Sequence, residues 1–265
     1  MRFRLILQVN SSAFGNILPV CYQYEQSAVI YRILAQANEE YATWLHDNGF
    51  EVSNKRFKLF TYSRFKILKR QIIPDEQRLI ILSDNVEWQI TFLPEKTTEK
   101  FIQGLFSNQV FEIGDKKSVV QFRVRSVEVL PNPDFVDTMD FSTMSPICLK
   151  SRRPDESTEY LSPLDKRAKG AILKGLLARY RAFYLQSYPD KDVDIDFELL
   201  NEPKAVLVTL KVGTPQQTKV KGYMCQFRLK APSDLMKIMY ESGIGEECSL
   251  GFGCVSEIKK PSTIH

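Results

Sequence analysis

The spacing of apolar residues predicts alternating strands and helices in the first half of the chain. Residues 3–9 alternate between apolar and polar side chains, which is the period of a half-buried β-strand. Residues 25–44 instead place apolar side chains at helical spacing. The segments that follow are strand-like at 59–67, 78–81 and 88–92, helical at 94–106, and strand-like at 110–113 and 119–129. The order is therefore strand, helix, strands, helix, strand.

The second half of the chain is predicted to repeat this order. The sequence Ser162-Pro163-Leu164-Asp165 is typical of a helix start, because Ser caps, Pro suits the first helical position and an acid follows. Helical spacing continues until Pro189, and a short helix is predicted at 232–240. Predicted strands lie at 145–150, 194–200, 205–212, 219–229 and 250–258. Two successive βαββαβ patterns predict an α+β fold of two tandem ferredoxin-like domains, residues 1–125 and 126–265.

Composition adds that the chain is globular and carries little net charge. Its 265 residues are 43% hydrophobic and 26% charged, which excludes a disordered or fibrous chain. The net charge of +4 is too small to identify an anionic partner by itself. No apolar run approaches the roughly 20 residues of a membrane-spanning helix, and the N-terminus lacks a signal-peptide pattern. We therefore expect a cytoplasmic protein with no membrane segment.

Few side chains are suited to holding a metal. The five cysteines are scattered without a CxxC pair, and the two histidines are His46 and His265. Structural zinc sites and disulfide frameworks require more regular spacing. We therefore predict no metal site, no cofactor and reduced cysteines.

A glycine-rich segment near the C-terminus is the most informative motif. Two Gly-X-Gly units, at 243–245 and 251–253, bracket five residues between a predicted helix and a predicted strand. A dinucleotide fingerprint needs the opposite order, strand then helix, and a P-loop needs a Gly-Lys-Ser/Thr sequence. Two interpretations remain: a tight turn, or a loop whose glycines leave backbone N–H groups open to an anionic backbone.

The sequence Ser249-Leu250-Gly251-Phe252-Gly253, followed by Val255, resembles the C-terminal glycine-rich loop of the CRISPR-associated repeat-RNA endoribonucleases. Residues 1–3, 57–63 and 144–147 resemble further segments of that family in the expected order. The family belongs to the ferredoxin-fold CRISPR RNA-binding superfamily, so the resemblance implies the same two-domain fold. It also implies RNA binding by the loop, at Gly243, Gly245, Ser249, Gly251, Phe252 and Gly253. For Phe252, stacking on a base and packing beneath the loop both remain open.

The resemblance further implies a metal-independent enzyme that cuts the repeats of CRISPR precursor RNA into guide RNAs. The 2′-hydroxyl of the RNA would be the nucleophile, leaving a 2′,3′-cyclic phosphate and a 5′-hydroxyl. Such chemistry needs a proton acceptor, a proton donor and positive charge at the phosphate. By resemblance, the matching positions are Tyr31, His46 and Lys58.

Each of these residues also has a structural interpretation. His46 could cap the helix that ends at Asn48-Gly49, where a histidine meets the helix dipole. Tyr31 could be a packed aromatic residue, and an unbroken helix would place it about 22 Å from His46. Both can serve one phosphate only if the helix breaks between them, and Asn38-Glu39-Glu40 is a suitable capping sequence for a new helix.

The sequence leaves open which basic residue stabilises the phosphate, because Lys55 and Arg56 precede Lys58 closely. Any of the three could fill this role, and a solvated basic strand edge is the alternative. We therefore include Lys55 and Arg56 among the predicted RNA-binding residues.

Two other functions compete with the enzyme. A non-catalytic CRISPR RNA-binding subunit would share the fold and the loop, and His46 is the residue that distinguishes the two. A ferredoxin-like structural or small-molecule-binding protein is the third interpretation. The predicted partner is CRISPR repeat RNA in its precursor transcript, and a CRISPR effector complex and a homodimer remain open.

Overall fold

The structure is a computed structural model that describes residues 1–259. The predicted C-terminal domain continues to residue 265, and its last six residues lie outside the described residues. In chain order the elements of the first half are β1 (Arg2–Val9), α1 (Ser11–Phe14), β2 (Ile17–Pro19), α2 (Gln23–Ala37), α3 (Glu39–Asp47), β3 (Phe50–Val52), β4 (Lys55–Phe57), β5 (Phe60–Tyr62), β6 (Arg70–Ile73), β7 (Arg78–Ile81), β8 (Asn85–Phe92), α4 (Glu95–Ser107), β9 (Val110–Gly114) and β10 (Val119–Leu130).

The first half forms an antiparallel five-stranded sheet in the order β5-β8-β1-β10-β9. The predicted alternation in β1 is correct, because Phe3, Leu5 and Leu7 are buried in the core. Helices α2 and α4 pack against each other and contribute Ile33 and Phe101 to that core. Without β9, the strand order is second, third, first, fourth along the chain, which is the ferredoxin-like arrangement.

The second half repeats this arrangement. Its elements are β11 (Thr138–Thr143), β12 (Leu149–Arg152), β13 (Thr158–Leu161), α5 (Ala168–Tyr184), β14 (Asp196–Leu199), β15 (Lys204–Leu210), β16 (Thr218–Met224), β17 (Gln226–Lys230), α6 (Ser233–Ser242), a 3₁₀ turn (Cys248–Leu250) and β18 (Val255–Glu257). The sheet order β14-β17-β11-β18 is again second, third, first, fourth. The hairpins β12–β13 and β15–β16 lie outside this sheet. The prediction of two tandem ferredoxin-like domains is confirmed.

Several element boundaries differ from the prediction. Helix α5 begins at Ala168 and not at Ser162, because the Asp165 carboxylate accepts a hydrogen bond from the Arg167 N–H (2.9 Å) and holds residues 162–167 in turns. The predicted strand 219–229 is two strands in different sheets, and β11 was not predicted. Strand β10 pairs with β1 as far as Leu130, and the division of domains after residue 125 stays a prediction.

Candidate active site

The helix break between Tyr31 and His46 is present and is built by Asn38. Helix α2 ends at Ala37, and Asn38 has an extended backbone (φ −162°, ψ 105°). Its Oδ1 accepts a hydrogen bond from the N–H of Tyr41 at 2.7 Å, which caps α3 as predicted. The chain therefore changes direction, and the ring centroids of Tyr31 and His46 lie 5.0 Å apart.

The His46 ring is held on two sides and is otherwise open to solvent. It meets the Tyr31 ring at an interplanar angle of 83°, and its Nδ1 is 2.8 Å from Asp47 Oδ1. The side chain is 67% exposed, and its Nε2 has no hydrogen-bond partner among residues 1–259. This arrangement leaves Nε2 available for proton transfer to a bound phosphodiester.

Tyr31 is more deeply placed than His46. Its ring packs against Phe60, with centroids 5.8 Å apart. Burial, with a further contribution from the charge of Asp47, raises the pKa of the Tyr31 phenol above its ordinary value. The phenol therefore keeps its proton at neutral pH and can donate a hydrogen bond.

The Lys58 side chain approaches His46 from the segment that follows β4. Gly49 has a φ of +63°, and a Cβ there would lie 2.5 Å from the Phe57 carbonyl oxygen, so glycine is required for this close return of the chain. The Lys58 Nζ donates a hydrogen bond to the His46 carbonyl oxygen at 2.6 Å. Burial and the neighbouring charge of Arg56 lower the pKa of Lys58, while Asp47 opposes them.

Lys55, Arg56 and Lys58 thus contact different parts of the protein. Arg56 donates a hydrogen bond to the Asp47 carbonyl oxygen at 3.0 Å, so Arg56 and Lys58 both satisfy the C-terminal end of α3. Lys55 instead points to the glycine-rich loop, where its Nζ is 2.8 Å from Glu246 Oε1. Burial raises the pKa of Glu246, but the hydrogen bond and charge of Lys55, together with the charges of Arg179 and Lys150, outweigh it, and the pKa lies below its ordinary value.

The glycine-rich loop packs tightly against the rest of the protein. A Cβ at Gly245 would lie 2.4 Å from the Cys148 carbonyl oxygen, and one at Gly251 would lie 2.8 Å from Tyr62 Cε2. The N–H groups of Gly243, Gly251 and Gly253 all donate to backbone carbonyls. At these three positions the N–H groups are not open, and close packing requires glycine. The Gly245 N–H donates to no backbone carbonyl among residues 1–259, so the interpretation of an open N–H group stays open at that position. The role of these glycines in RNA binding stays a prediction.

Two further loop residues show how the loop is attached. Phe252 is fully buried and packs with Val208 and Val220, so it lies beneath the loop and offers no face to a base. Its carbonyl oxygen accepts a hydrogen bond from Thr61 Oγ1 at 2.8 Å. The Ser249 carbonyl oxygen accepts one from Ser27 Oγ at 2.8 Å. Because Ser27 and Tyr31 are four residues apart on α2, this contact brings the loop to the helix face of Tyr31.

A cleft of about 210 Å³ separates the basic segment from the loop. Lys55, Arg56 and Lys58 line one side, and residues 246–249 line the other. Tyr31 and His46 lie at the Lys58 end, through the contacts with Phe60 and Lys58. A larger apolar groove of about 1780 Å³ elsewhere contains neither these residues nor the loop.

The sequence did not identify two residues that shape this site. Asp47 was not singled out, although an acid next to a histidine at a helix end is a usable signal. Arg179 is 4% exposed, and its guanidinium lies 3.1 Å from Cys248 Sγ and donates to the Gly245 carbonyl oxygen. A charged residue on a helix is ordinarily solvated, but Arg179 lies between the buried Leu176 and Tyr180 and supports the loop instead.

Residues 1–259 contain no group of three or more His, Cys, Asp or Glu side chains arranged to hold a metal ion. Over the same residues, no helix is both long enough and apolar enough to cross a membrane.

Comparison with known proteins identifies the family. The family models "CRISPR-associated protein Cas6, N-terminal" and "CRISPR associated protein Cas6, C-terminal" match residues 17–127 and 130–257. The protein therefore belongs to the Cas6 family of CRISPR-associated proteins.

Individual relatives match over nearly the full length. The chain is 29% identical to CRISPR-associated endoribonuclease Cas6 1 of Methanocaldococcus jannaschii, covering 98% of this chain and 93% of the relative. It is 28% identical to CRISPR-associated endoribonuclease Cas6 of Pyrococcus furiosus, covering 96% and 89%. A solved structure of the product of a Cas6-related gene from Pyrococcus furiosus matches with a TM-score of 0.81 and 26% identity, covering 98% and 99%.

Proposed function

We propose that the protein is a metal-independent endoribonuclease that cleaves the repeats of CRISPR precursor RNA to give guide RNAs. The observation that carries the proposal is the meeting of the Tyr31 and His46 rings, 5.0 Å apart, beside the Lys58 ammonium. Family membership supports the RNA substrate, and the open His46 ring supports catalysis over binding alone.

His46, Tyr31 and Lys58 each have a separate role in the proposed reaction. The 2′-oxygen attacks the adjacent phosphorus, the bond from phosphorus to the 5′-oxygen breaks, and a 2′,3′-cyclic phosphate and a 5′-hydroxyl result. His46 donates a proton from Nε2 to the departing 5′-oxygen, and the 2′-hydroxyl proton passes to water in the exposed site. Tyr31 donates a hydrogen bond that orients the reacting groups, and Lys58 stabilises the negative charge at phosphorus.

Single-turnover cleavage of the repeat RNA in EDTA tests this function. The wild type should cleave without divalent metal, and His46→Ala should lose about 100-fold or more in rate while still binding RNA. A 2′-deoxy nucleotide at the scissile position should block cleavage and leave binding intact. A requirement for metal, or cleavage of the deoxy substrate, would refute the mechanism.

Binding without cleavage by the wild type would indicate the non-catalytic RNA-binding subunit instead. A CRISPR effector complex and a second copy of this chain are further candidate partners in the cytoplasm, where we place the protein. Light scattering of the protein with and without repeat RNA measures whether two copies assemble, and co-purification with the neighbouring CRISPR proteins tests the complex.

A further inference from the structure

A second groove lies beside the candidate cleavage cleft. It measures about 610 Å³ and runs between α5 on one side and the β3–β4 hairpin with residues 187–191 on the other. Lys55 and Glu246 line both this groove and the cleft. Their ion pair, with Nζ 2.8 Å from Oε1, therefore forms the partition between the two.

The basic residues of α5 and of the turn before it differ in what they contact. Arg167 and Lys169 are neutralised by carboxylates of neighbouring segments. Arg179 is buried beneath the glycine-rich loop. Lys174 and Arg181 are exposed, form no ion pair among the described residues, and line the groove. Lys166, in the turn before the helix, is also exposed but does not line the groove. The available cations of α5 itself are thus the two that face the groove.

The spacing of these two cations suits an extended polyanion. Lys174 and Arg181 are two turns apart on one face of α5, about 10 Å along the helix axis. Gly175 and Ala178, which lie between them in sequence, also line the groove. Cations spaced along a groove are how proteins follow the backbone of a single nucleic-acid strand.

We propose that this groove is a second binding site for the phosphodiester backbone of RNA, which reaches it from the cleavage cleft by crossing the Lys55–Glu246 pair. The proposal rests on the proposed function, because it requires RNA in the cleft. A phosphate group can replace the Glu246 carboxylate as the partner of Lys55, so the crossing leaves no lysine unpaired. Glu246 thus holds the place of a phosphate in the free protein.

Salt titrations with fluorescent oligouridylates test this path, because phosphate contacts do not depend on base sequence. One oligonucleotide fills only the cleft, and a longer one also reaches the groove. For Lys174→Gln/Arg181→Gln, the plot of log binding constant against log salt should become shallower by about 1.4 with the long RNA, since each single-strand contact contributes about 0.7. The short RNA should bind as it does to the wild type.

A matched control is available on the surface of the first domain. Lys116→Gln/Lys117→Gln removes two exposed lysines from the turn between β9 and β10 and should change neither titration. Glu246→Gln should act in the opposite direction and raise the affinity for the long RNA, because it removes a negative charge from the path. Thermal melting of each variant verifies that it is folded.

Three outcomes would overturn the inference. Wild-type binding of the long RNA by Lys174→Gln/Arg181→Gln would exclude the groove, and an equal loss for short and long RNA would exclude the path from the cleft. A weaker binding by Glu246→Gln would show that its carboxylate does not stand in for a phosphate. Cleavage of the repeat RNA by the wild type is measured separately, and its absence would contradict the proposed function and not these binding results.

Discussion

Asp47 influences all three residues of the proposed catalytic group. Its Oδ1 lies 2.8 Å from His46 Nδ1, and a proton on Nδ1 shared with this carboxylate directs the opposite nitrogen outward. For Tyr31, burial is the main cause that raises the pKa, and Asp47 adds to it. For Lys58, burial and then Arg56 lower the pKa, and Asp47 opposes them. At the end of α3, the Asp47 carboxylate and the Arg56 guanidinium, which reaches it from β4, therefore have opposite effects on the pKa of Lys58.

These opposite effects predict a pair of pH shifts. The Lys58 ammonium stabilises the phosphate only while it is protonated, so its deprotonation should lower the cleavage rate as the pH rises through its pKa, in addition to any fall from loss of the proton that His46 donates. Asp47→Asn removes a charge that raises this pKa, and the alkaline fall should move to lower pH. Arg56→Gln removes a charge that lowers it, and the fall should move to higher pH. Asp47→Asn should also reduce the maximal rate by about tenfold, or 1.4 kcal/mol, because the His46 ring loses its anionic partner.

Single-turnover rates over a pH series measure both effects, with Lys58→Ala as the control for alkaline hydrolysis of the RNA itself. Shifts of the same sign in the two variants would show that the alkaline fall does not belong to Lys58. An unchanged maximal rate in Asp47→Asn would mean that His46 does not need this carboxylate.

At the scale of elements, the break between α2 and α3 brings the site together. Asn38→Ala removes the Oδ1 that accepts from the Tyr41 N–H, and we expect the free energy of unfolding to fall by about 1 kcal/mol. Asn38→Asp keeps the cap and places an anion at the start of α3, so its stability should match the wild type. Denaturant unfolding measures the first effect, and cleavage rates show whether a frayed α3 displaces His46. Equal stability of the two variants would mean that the cap does not hold the break.

This break could be predicted because its cause is local. Asn38 and the acids after it are adjacent in sequence. The rise per residue of an α-helix is enough to show that an unbroken helix would place Tyr31 and His46 too far apart to serve one phosphate. The start of α5 could not be predicted, because Glu159 on β13 also binds Arg167 and competes with the helix signal at Ser162. Similarly, residues 219–229 read as one strand, yet β16 pairs with β15 while β17 pairs with β11 and β14. Such partners are distant in sequence and leave no local signal.

At the candidate site, the glycine-rich loop likewise has some features that the local sequence reveals and others that depend on partners distant in sequence. The motif was recognisable, and so was its position after a helix. The packing that requires its glycines involves Tyr62, Cys148 and Ile244, which only the folded protein brings together. Sequence spacing therefore identified the loop but left two reasons for its glycines open, and the folded structure adds close packing at each of them.

At the scale of the whole molecule, Arg2 joins the two domains. It lies on β1 of the first sheet, is 1% exposed, and donates hydrogen bonds to the carbonyl oxygens of Val255 (2.7 Å) and Tyr240 (2.8 Å). Its guanidinium carbon is 3.7 Å from the centroid of the Tyr240 ring. These contacts fix α6 and β18 to the first domain, and the glycine-rich loop runs between those two elements.

Arg2→Lys should therefore loosen the loop as well as destabilise the fold. A lysine cannot reach both carbonyl oxygens in the geometry of the guanidinium fork, so we expect the free energy of unfolding to fall by about 2 kcal/mol. Hydrogen exchange at the Gly253 amide, which donates to the Pro146 carbonyl oxygen, should accelerate relative to amides of the first sheet. Arg4→Lys is the matched control on the same strand, because the Arg4 guanidinium pairs with the exposed Glu128 carboxylate and with no other side chain among residues 1–259. This substitution should leave both measurements near the wild type. Equal effects of the two substitutions, or a loop amide unaffected by Arg2→Lys, would mean that the loop is held in place without the contacts between the domains.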